Sequence, residues 1–492
     1  MNVPITRLYV FVLLLFAVLV YFTSKWTVFD AESLEQRPEN RRPLIAEQQI
    51  PRGSISTADG VLIAESVPAG GGQRPVYVRR YPADDPETFG NPIGYSYVDV
   101  GRTGIELSEN DLLSGEENEF ASIIDQLRNV PPQGADVTLT IDAQAQRVAA
   151  QALQAAVGPG VGGAVVALEP DTGAVRVMTS IPGFDPNVVD DEGAFSELSS
   201  DRAAPLVNRP TQSTYQPGST MKVVTAAAAL DSGEIDPDTV INADSPKRIS
   251  GFPLENFGGE SLGDIDAATA LTNSVNTYWA QVGERLGPET LVDYMERFGF
   301  YSDPELDYPD TQMIPSGVYN VDGSLVRDGF DIGRVAIGQG GEEGQLRATP
   351  LQMAEVAGTV ANDGTLMQPT FLQEAKDPDG RTIAELDPDR QDGVISEDTA
   401  QQMTEMMTNV VDEGTAAGLS VSTGAGTLAG KTGTAEINVA RSLNVPWFIG
   451  FAPADDPQIA VAAMIERCTG CTGGEVAGPI ATQVMDSLLD GQ

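Results

Sequence analysis

The 492-residue chain contains no histidine. Without an imidazole, a Ser-His-Asp triad, a Cys-His dyad and every histidine-ligated metal site are excluded. Lysine is also scarce, and the whole chain has only Lys25, Lys222, Lys247, Lys376 and Lys431. A catalytic base must therefore come from another residue type than histidine, and we expect neither a metal site nor a cofactor.

Cysteine occurs only at Cys468 and Cys471, which form one C-x-x-C pair near the C-terminus. Zinc normally requires four ligands, so this pair does not make a zinc site in a chain that lacks other cysteines and histidines. Three alternatives stay open for the pair: a small-loop disulfide on an extracytoplasmic surface, two free thiols, or a redox motif. The absence of a βαβ pattern ahead of it argues against the redox motif, and the sequence leaves the choice open.

Basic residues are few compared with acidic ones: 29 Lys and Arg against 71 Asp and Glu give a formal net charge of −42. The acidic residues are spread along the chain. Such a chain is poorly suited to bind nucleic acid, so no nucleic-acid partner is expected. The favoured interpretation is a solvated surface adapted to high salt, and recognition of a cationic partner is the alternative.

One long apolar run stands at the N-terminus, where residues 8–22, LYVFVLLLFAVLVYF, carry no charge. With the weakly polar flank up to Phe29, this run approaches the length of a membrane-spanning helix. No small-x-small cleavage site follows it, so we expect an uncleaved anchor rather than a signal peptide. The positive-inside rule does not favour an outside C-terminal body, because Arg7 precedes the run while Lys25, Arg37, Arg41 and Arg42 follow it.

The remaining chain divides near VPPQG, residues 130–134. Before it, a charged tether containing RPENRRP leads into short strand-like runs separated by Gly and Pro turns, which predicts a small β-containing module. We therefore predict three units: a cytoplasmic tail and anchor over 1–29, a non-catalytic module over 30–133, and the main domain over 134–492.

The main domain reads as mixed α/β. A strand and an amphipathic helix, DVTLTIDAQAQRVAAQALQAAV, are followed by a hairpin around Asp171-Thr172-Gly173. Three more strands lie near the C-terminus, in TLAGKTGTAEI, VPWFIGFAP and QIAVAAMIER. Mostly helical segments lie between the two groups, among them 219–230, 264–287 and 349–361. The pattern predicts one sheet whose strands come from both ends of the domain, with a helical subdomain inserted between them.

The stretch YQPGSTMKVVTAAAAL, residues 215–230, places Ser219 and Lys222 three residues apart at the start of an apolar helix. Residues at this spacing share one helix face, so the amine can reach the hydroxyl. Burial lowers the pKa of a lysine, and a neutral amine can take a proton from serine. The alternative is a lysine that extends from a core helix beside an unrelated serine.

Two further stretches carry polar side chains that suit the same chemistry. In NSVNT, residues 273–277, a turn between helix-like runs would aim Ser274 and Asn276 the same way, offering a hydroxyl to pass a proton and an amide to hold a carbonyl. In GKTGT, residues 430–434, Lys431 lies on a strand beside a glycine that permits close backbone approach, where it could bind an anionic terminus. Each stretch alone is an ordinary turn or strand end.

Together, and in this order, the three stretches resemble the S-x-x-K, S-x-N and K-T-G motifs of the penicillin-binding proteins and serine β-lactamases. PRGSISTADGVLIAES and GYSYVDVGRTGIELSENDLLSG are similar to segments that open the extracytoplasmic part of class B penicillin-binding proteins. IGQG, ATPLQMAEVAGTVANDG and WFIGFAP look like landmarks of their transpeptidase domain. The resemblance covers nearly the full chain and is strongest to the short class B type of actinobacteria.

This resemblance implies a penicillin-binding/serine β-lactamase-like transpeptidase domain with an antiparallel sheet flanked by helices and a helical subdomain. A pedestal- or dimerisation-like module and one transmembrane helix would precede it. The implied catalytic residues are the nucleophile Ser219, its base Lys222, and the relay and substrate-holding pair Ser274 and Asn276. The implied substrate-binding residues are Lys431, Thr432, Gly433 and Thr434, and the backbone N–H groups of Ser219 and Thr434 would form the oxyanion hole.

The implied activity is that of a peptidoglycan D,D-transpeptidase that cross-links stem peptides through a Ser219 acyl-enzyme and is inhibited covalently by β-lactams. It would be a single-pass protein of the cytoplasmic membrane with its catalytic domain outside. Because no stretch resembles a glycosyltransferase domain, a separate membrane polymerase is the expected partner, with division or elongation proteins and the lipid-linked precursor. The alternatives are a D,D-carboxypeptidase or β-lactamase-type hydrolase, and a non-catalytic β-lactam sensor or division scaffold.

Overall fold

The computed structural model describes residues 3–26, 48–69, 75–115, 133–341, 344–422, 426–438 and 441–490. Its first element, helix α1, spans Val3–Ser24 and buries none of its residues. The predicted N-terminal helix is confirmed, and it is long and apolar enough to cross a membrane. Phe29 and the tether RPENRRP lie outside the described residues.

A small module of short elements follows the anchor. Its strands β1 to β5 are Ile55–Ser56, Leu62–Pro68, Tyr77–Arg80, Ser96–Tyr97 and Gly101–Arg102, and its helices α2 to α4 are Gly90–Ile93, Ile105–Ser108 and Asn110–Ser114. Glu106 is fully buried here and pairs with Arg52 and Arg79, the latter at 2.5 Å. The flanking arginines lower the pKa of Glu106 against the effect of its burial. Loss of either arginine would therefore leave a buried carboxylate incompletely paired.

The larger part of the chain contains ten helices and eighteen strands within the described residues. The helices α5 to α14 are Ala143–Ala156, Glu192–Ser200, Arg209–Gln212, Lys222–Asp231, Ala267–Thr272, Asn276–Arg297, Ile332–Val335, Pro350–Ala361, Glu397–Asp412 and Gly473–Leu489. The strands β6 to β14 are Asp136–Leu139, Gly163–Leu168, Val175–Ile181, Ile241–Asn242, Lys247–Ile249, Phe252–Leu254, Asp264–Ile265, Gly317–Tyr319 and Gly340–Gly341. The strands β15 to β23 are Gly344–Arg347, Leu366–Met367, Leu372–Lys376, Thr382–Glu385, Arg390–Gln391, Ala429–Asn438, Leu443–Ala452, Ile459–Ile465 and Cys468–Thr469.

The main sheet is antiparallel and has the order β20-β21-β22-β7-β8, with β23 paired to β21. The strands β7, GAVVAL, and β22, IAVAAMI, are buried at every position, as continuous apolar runs predict for central strands. Helices α12 and α14 pack against the sheet, and α5 packs against α14. The prediction of one sheet built from both ends of the domain, with helical segments between, is confirmed.

A second, six-stranded sheet has the order β18-β17-β6-β1-β2-β3. Strand β6 pairs in parallel with β1, placing Val137 opposite Ile55, and in antiparallel with β17. Strands from both sides of the predicted boundary at residues 133 and 134 therefore share one sheet. The division into 1–29, 30–133 and 134–492 stays a prediction, with the backbone hydrogen bonds of this sheet linking the second and third units.

The helical segments that carry the motifs agree with the sequence pattern. A 3₁₀ turn over Gly218–Met221 leads into α8, and the predicted segment 264–287 is divided between α9 and α10 by the turn at residues 273–275. Near the C-terminus Cys468 and Cys471 form a disulfide, and the side chain of Asn444 on β21 donates to the carbonyl of Cys471 at 3.0 Å. The disulfide loop is thereby tied to the main sheet.

The large excess of carboxylates predicts that the melting temperature rises between about 0.05 M and 2 M KCl. Folding brings the carboxylates closer together, and their mutual repulsion destabilises the folded state. Salt shortens the Debye length from about 14 Å to a few ångströms and so screens this repulsion. The measurement is scanning calorimetry of the full chain in a non-ionic detergent. A melting temperature that is flat or falls over this range would contradict the interpretation of the surface as one adapted to high salt.

Candidate active site

Ser219 lies in the 3₁₀ turn just ahead of α8, held by backbone contacts on both sides. Gly218, at φ +56°, donates its N–H to the Gly338 carbonyl at 3.0 Å. A methyl group on Gly338, itself at φ +76°, would lie 1.8 Å from the carbonyl oxygen of Gly218, so only glycine fits there. On its other side Gly218 lies against the backbone of Thr434 and Ala435. The turn is thereby wedged between the IGQG segment and strand β20.

Lys222 is fully buried, and its Nζ is surrounded by oxygen atoms. The Ser274 carbonyl and the Asn276 Oδ1 each lie 2.7 Å away, the Ser219 Oγ 2.9 Å and the Ser274 Oγ 3.3 Å. The carbonyl and the amide oxygen can only accept hydrogen bonds, so they take two N–H groups of the amine. The third position of the amine then faces the Ser219 hydroxyl.

The electrostatics favour a neutral amine at this position. Burial, and secondly the charge of Lys431, hold the pKa of Lys222 well below its usual value. Within the described residues no carboxylate forms an ion pair with either lysine. A neutral amine has two N–H groups and one lone pair, so with both N–H groups donated its lone pair is left to accept the Ser219 O–H. Lys222 can therefore act as the base that removes the proton of Ser219.

Ser274 and Asn276 come from the turn that separates α9 from α10. Ser274 is at φ +56°, a left-handed conformation that is uncommon outside glycine and that directs both its carbonyl and its hydroxyl toward Lys222. Its Oγ is also 2.9 Å from the Nζ of Lys431, so one hydroxyl touches both buried amines. Asn276 donates its Nδ2 to the Glu255 carbonyl at 3.1 Å, which leaves its Oδ1 for Lys222.

The K-T-G stretch lies on β20, the edge strand of the main sheet. Lys431 is fully buried, and burial lowers its pKa to about 7. Thr432 is also buried, and its hydroxyl lies 2.6 Å from that of Thr415 rather than beside Ser274. Gly433 fits closely against the Pro217 carbonyl, and the half-buried Thr434 hydroxyl accepts from the Gly473 N–H at 3.3 Å.

The structure thus brings Ser219, Lys222, Ser274, Asn276 and Lys431 into one chain of contacts. The hydroxyls of Thr432 and Thr434 contact Thr415 and the Gly473 N–H instead. Three neighbours were not singled out by the sequence. Gly338 was noted only within the IGQG landmark, and neither Thr415 nor Glu255, which acts through its backbone, carries a sequence signal. Within the described residues no group of three or more Cys, Asp or Glu could hold a metal ion.

The buried lysines predict a pH-dependent stability. The pKa of Lys431 is about 7 in the folded chain against 10.5 in the unfolded chain, so between these pH values the unfolded chain holds more protons and the free energy of unfolding rises with pH. Below pH 7 the burial penalty is fully present, and above 10.5 it is gone. Replacing Lys431 by methionine should therefore raise the melting temperature by roughly 3–6 °C at pH 6 and by less as the pH approaches 10.

The matched control is Lys376→Met at the exposed end of strand β17, which relieves no burial and should not raise the melting temperature at pH 6. Scanning calorimetry at pH 6 and pH 10 provides the comparison. A Lys431→Met difference that stays constant, or that grows with pH, would contradict the burial of a charged amine at this position.

Two domain families match the sequence. Residues 163–486 match the penicillin-binding protein transpeptidase domain, and residues 52–137 match the penicillin-binding protein A dimerisation domain. The peptidoglycan D,D-transpeptidase PbpA of Mycolicibacterium smegmatis is 33% identical over 99% of this chain and 99% of its own length. PbpA of Mycobacterium tuberculosis is 33% identical over the full length of both chains.

Solved structures of penicillin-binding proteins superpose on this chain. Penicillin-binding protein A from M. tuberculosis, as a penicillin G acyl-enzyme complex, superposes with a TM-score of 0.78 at 32% identity, covering 89% of this chain and 100% of that chain. PBP2 of Pseudomonas aeruginosa superposes with a TM-score of 0.71 at 30% identity, covering 89% and 96%. The chain therefore belongs to the penicillin-binding protein transpeptidase family, as a class B member similar to the mycobacterial PbpA proteins.

Proposed function

We propose that this protein is a serine-type peptidoglycan D,D-transpeptidase that acts through an acyl-enzyme on Ser219. The observation that carries the proposal is the contact of 2.9 Å between the Ser219 hydroxyl and a buried amine whose two shortest hydrogen bonds go to acceptor-only oxygens. Its relatives are peptidoglycan D,D-transpeptidases by name, and a structural neighbour carries penicillin G as an acyl-enzyme. A β-lactam would acylate the same serine.

In the acylation step, the lone pair of Lys222 accepts the proton of Ser219 as the Oγ attacks the carbonyl carbon of the penultimate D-Ala. The C–N bond to the terminal D-Ala breaks, and its nitrogen takes a proton. Ser274 touches both Lys222 and Lys431, so its hydroxyl is suited to pass that proton onward. An incoming amine then attacks the Ser219 ester and gives its proton to Lys222. The new amide forms as the C–O bond to Ser219 breaks, and Lys222 returns the proton to the serine oxygen.

Lys431 is suited to hold the terminal carboxylate of the stem peptide. Its pKa of about 7 allows it to be neutral beside Lys222 in the free enzyme, and a carboxylate placed against it would raise that pKa and charge the amine. The negative charge on the carbonyl oxygen during attack would be stabilised by the backbone N–H groups of Ser219 and Thr434. The contact of Gly218 with the Thr434 backbone supports this pairing.

The catalytic body would lie outside the cytoplasmic membrane, anchored by α1. One observation supports this orientation: the Cys468–Cys471 disulfide, a bond that persists in oxidising compartments. A membrane glycosyltransferase that polymerises the lipid-linked precursor, and proteins of division or elongation, would work beside it.

The test is donor–acceptor transfer. Purified full-length protein in detergent is incubated with a stem peptide that ends in D-Ala-D-Ala and with a free amine acceptor, and products are read by mass spectrometry. We expect loss of one D-Ala and formation of the donor–acceptor amide, blocked by benzylpenicillin. Release of D-Ala into water alone, with no amide at high acceptor concentration, would overturn the transpeptidase in favour of the hydrolase.

A further inference from the structure

The helix that carries Asn276 begins without a cap of its own. Helix α10 starts at Asn276, and the residue before it, Val275, has no side chain that can accept from the first N–H groups. Such orphan donors are normally satisfied by a side chain at the start of the helix. Here a residue far away in the sequence supplies the acceptor.

That residue is Asn256, in the loop after strand β11. Its Oδ1 accepts the N–H of Thr277, the second residue of α10, at 2.9 Å. Its Nδ2 donates to the Glu260 carbonyl at 2.9 Å and the Ala243 carbonyl at 3.2 Å. Asn256 is only 6% exposed, and both ends of its amide are used. One side chain therefore ties the loop over residues 255–260, which we call the cap loop, to the start of α10.

The cap loop also determines how Asn276 faces the buried amine. The carbonyl of Glu255, the neighbour of Asn256, accepts from Asn276 Nδ2, and this contact fixes which end of the amide points inward. With Nδ2 held by the cap loop, the Oδ1 is presented to Lys222 at 2.7 Å. If the amide were free to turn, an N–H could face the amine and compete for the lone pair that must accept the proton of Ser219.

The surroundings of Lys222 show why the cap loop matters for protonation. The amine is enclosed by its own helix, by the turn with Ser274, by β20 with Lys431, and by Asn276 beneath the cap loop. Burial has the larger effect on the pKa of Lys222, and among the described residues Lys431 is the charged group that adds to it. Loosening the cap loop admits water on the Asn276 side, and hydration would raise the pKa of the amine toward its ordinary value.

We propose that Asn256 is a positioning residue of the acyl-transfer reaction: it caps α10 from outside the helix and seats the Glu255 carbonyl, so that Asn276 turns its oxygen to Lys222. The inference rests on the proposed function, because it concerns the proposed base. Asn256 itself touches none of Ser219, Lys222 or Ser274, and acts through Asn276.

The test compares the pH dependence of acylation by a fluorescent penicillin in full-length wild type, Asn256→Ala and the matched control Asn242→Ala. The control removes a half-buried asparagine of strand β9 whose Nδ2 donates to Asp264. For Asn256→Ala we expect the pH of half-maximal acylation to move upward by about one unit, with a rate about tenfold lower at pH values below both midpoints and a rate near that of wild type at high pH. The control should follow the wild-type curve.

Two results would overturn the inference: an Asn256→Ala curve with the wild-type midpoint, or one lowered by the same factor at every pH, as general destabilisation would give. Calorimetry identifies a variant that does not fold, and Asn256→Ser, which keeps a short acceptor, then takes its place with a smaller shift expected in the same direction. Failure of the proposed Ser219 acyl-enzyme, on which the inference rests, is distinguishable, because wild type itself would then not be acylated at any pH.

Discussion

Ser219→Ala is expected to abolish covalent labelling by penicillin completely. The alanine variant has no oxygen to form the ester, and the neighbouring hydroxyl of Ser274 cannot replace it, because Ser274 is fixed at φ +56° with its Oγ between the two lysines. The measurement is fluorescent-penicillin labelling of the full chain, resolved on a denaturing gel.

Folding should be unaffected by this change, since the half-buried Ser219 contributes one hydrogen bond to Lys222. Ser199→Ala, on the exposed helix α6, serves as the control and should label like wild type. Labelling of the Ser219→Ala protein at a stoichiometry close to that of wild type would show that another residue is the nucleophile.

Lys222→Met should lower the acylation rate by about 10²–10⁴-fold while leaving the chain folded, the range found when a general base is removed. Methionine fills a similar volume in the buried site and lacks the lone pair that accepts the proton of Ser219. It also removes a buried amine whose pKa is strongly lowered, so stability at neutral pH should not fall much. Stopped-flow or quench measurement of acylation at several pH values provides the rate.

The same panel should include Lys376→Met, which removes an exposed lysine paired with Glu374 and is expected to acylate at the wild-type rate. The dependence on pH is a second check. Wild-type acylation should rise with pH as Lys222 loses its proton, whereas the residual rate of Lys222→Met should lack that step. A variant that acylates within threefold of wild type would remove Lys222 from the role of base.

Much of this architecture could be predicted because its signals are local. The continuous apolar runs of β7 and β22, the hairpin turn at Asp171-Thr172-Gly173 and the three-residue spacing of Ser219 and Lys222 are all readable from short windows of sequence. The spacing places both side chains on one helix face whatever the rest of the chain does. Their contact at 2.9 Å follows from that local geometry.

The parts that could not be predicted depend on pairs of residues far apart in the chain. Asn256 and Thr277 meet only because the cap loop folds back onto α10, and the close approach of Gly338 to Gly218 joins segments more than a hundred residues apart. A single glycine or asparagine in a loop gives no indication of its distant partner. The shared sheet of β6 and β1 likewise depends on pairing across the predicted domain boundary, where composition alone marks only a linker.

The contacts of the K-T-G hydroxyls in the free protein could not be predicted from the motif. The motif indicated that Thr432 and Thr434 could bind the substrate terminus together with Lys431. In a strand, alternate residues point to opposite faces, so Thr432 cannot share the face of Lys431. Its hydroxyl pairs with Thr415 instead, a residue in the loop after α13. The role of Thr432 in substrate binding stays a prediction.

The most direct test of the central claim is the mass and lifetime of the adduct that wild-type protein forms with benzylpenicillin. Attack by Ser219 forms an ester, breaks the C–N bond of the lactam ring and transfers a proton to its nitrogen, so the whole drug stays attached and its leaving group remains tethered in the site. We predict one adduct per chain, equal to the mass of the drug, on the peptide ending at Lys222, persisting for many minutes. An adduct elsewhere, no adduct, or hydrolysis of many drug molecules within seconds would contradict a Ser219 transpeptidase.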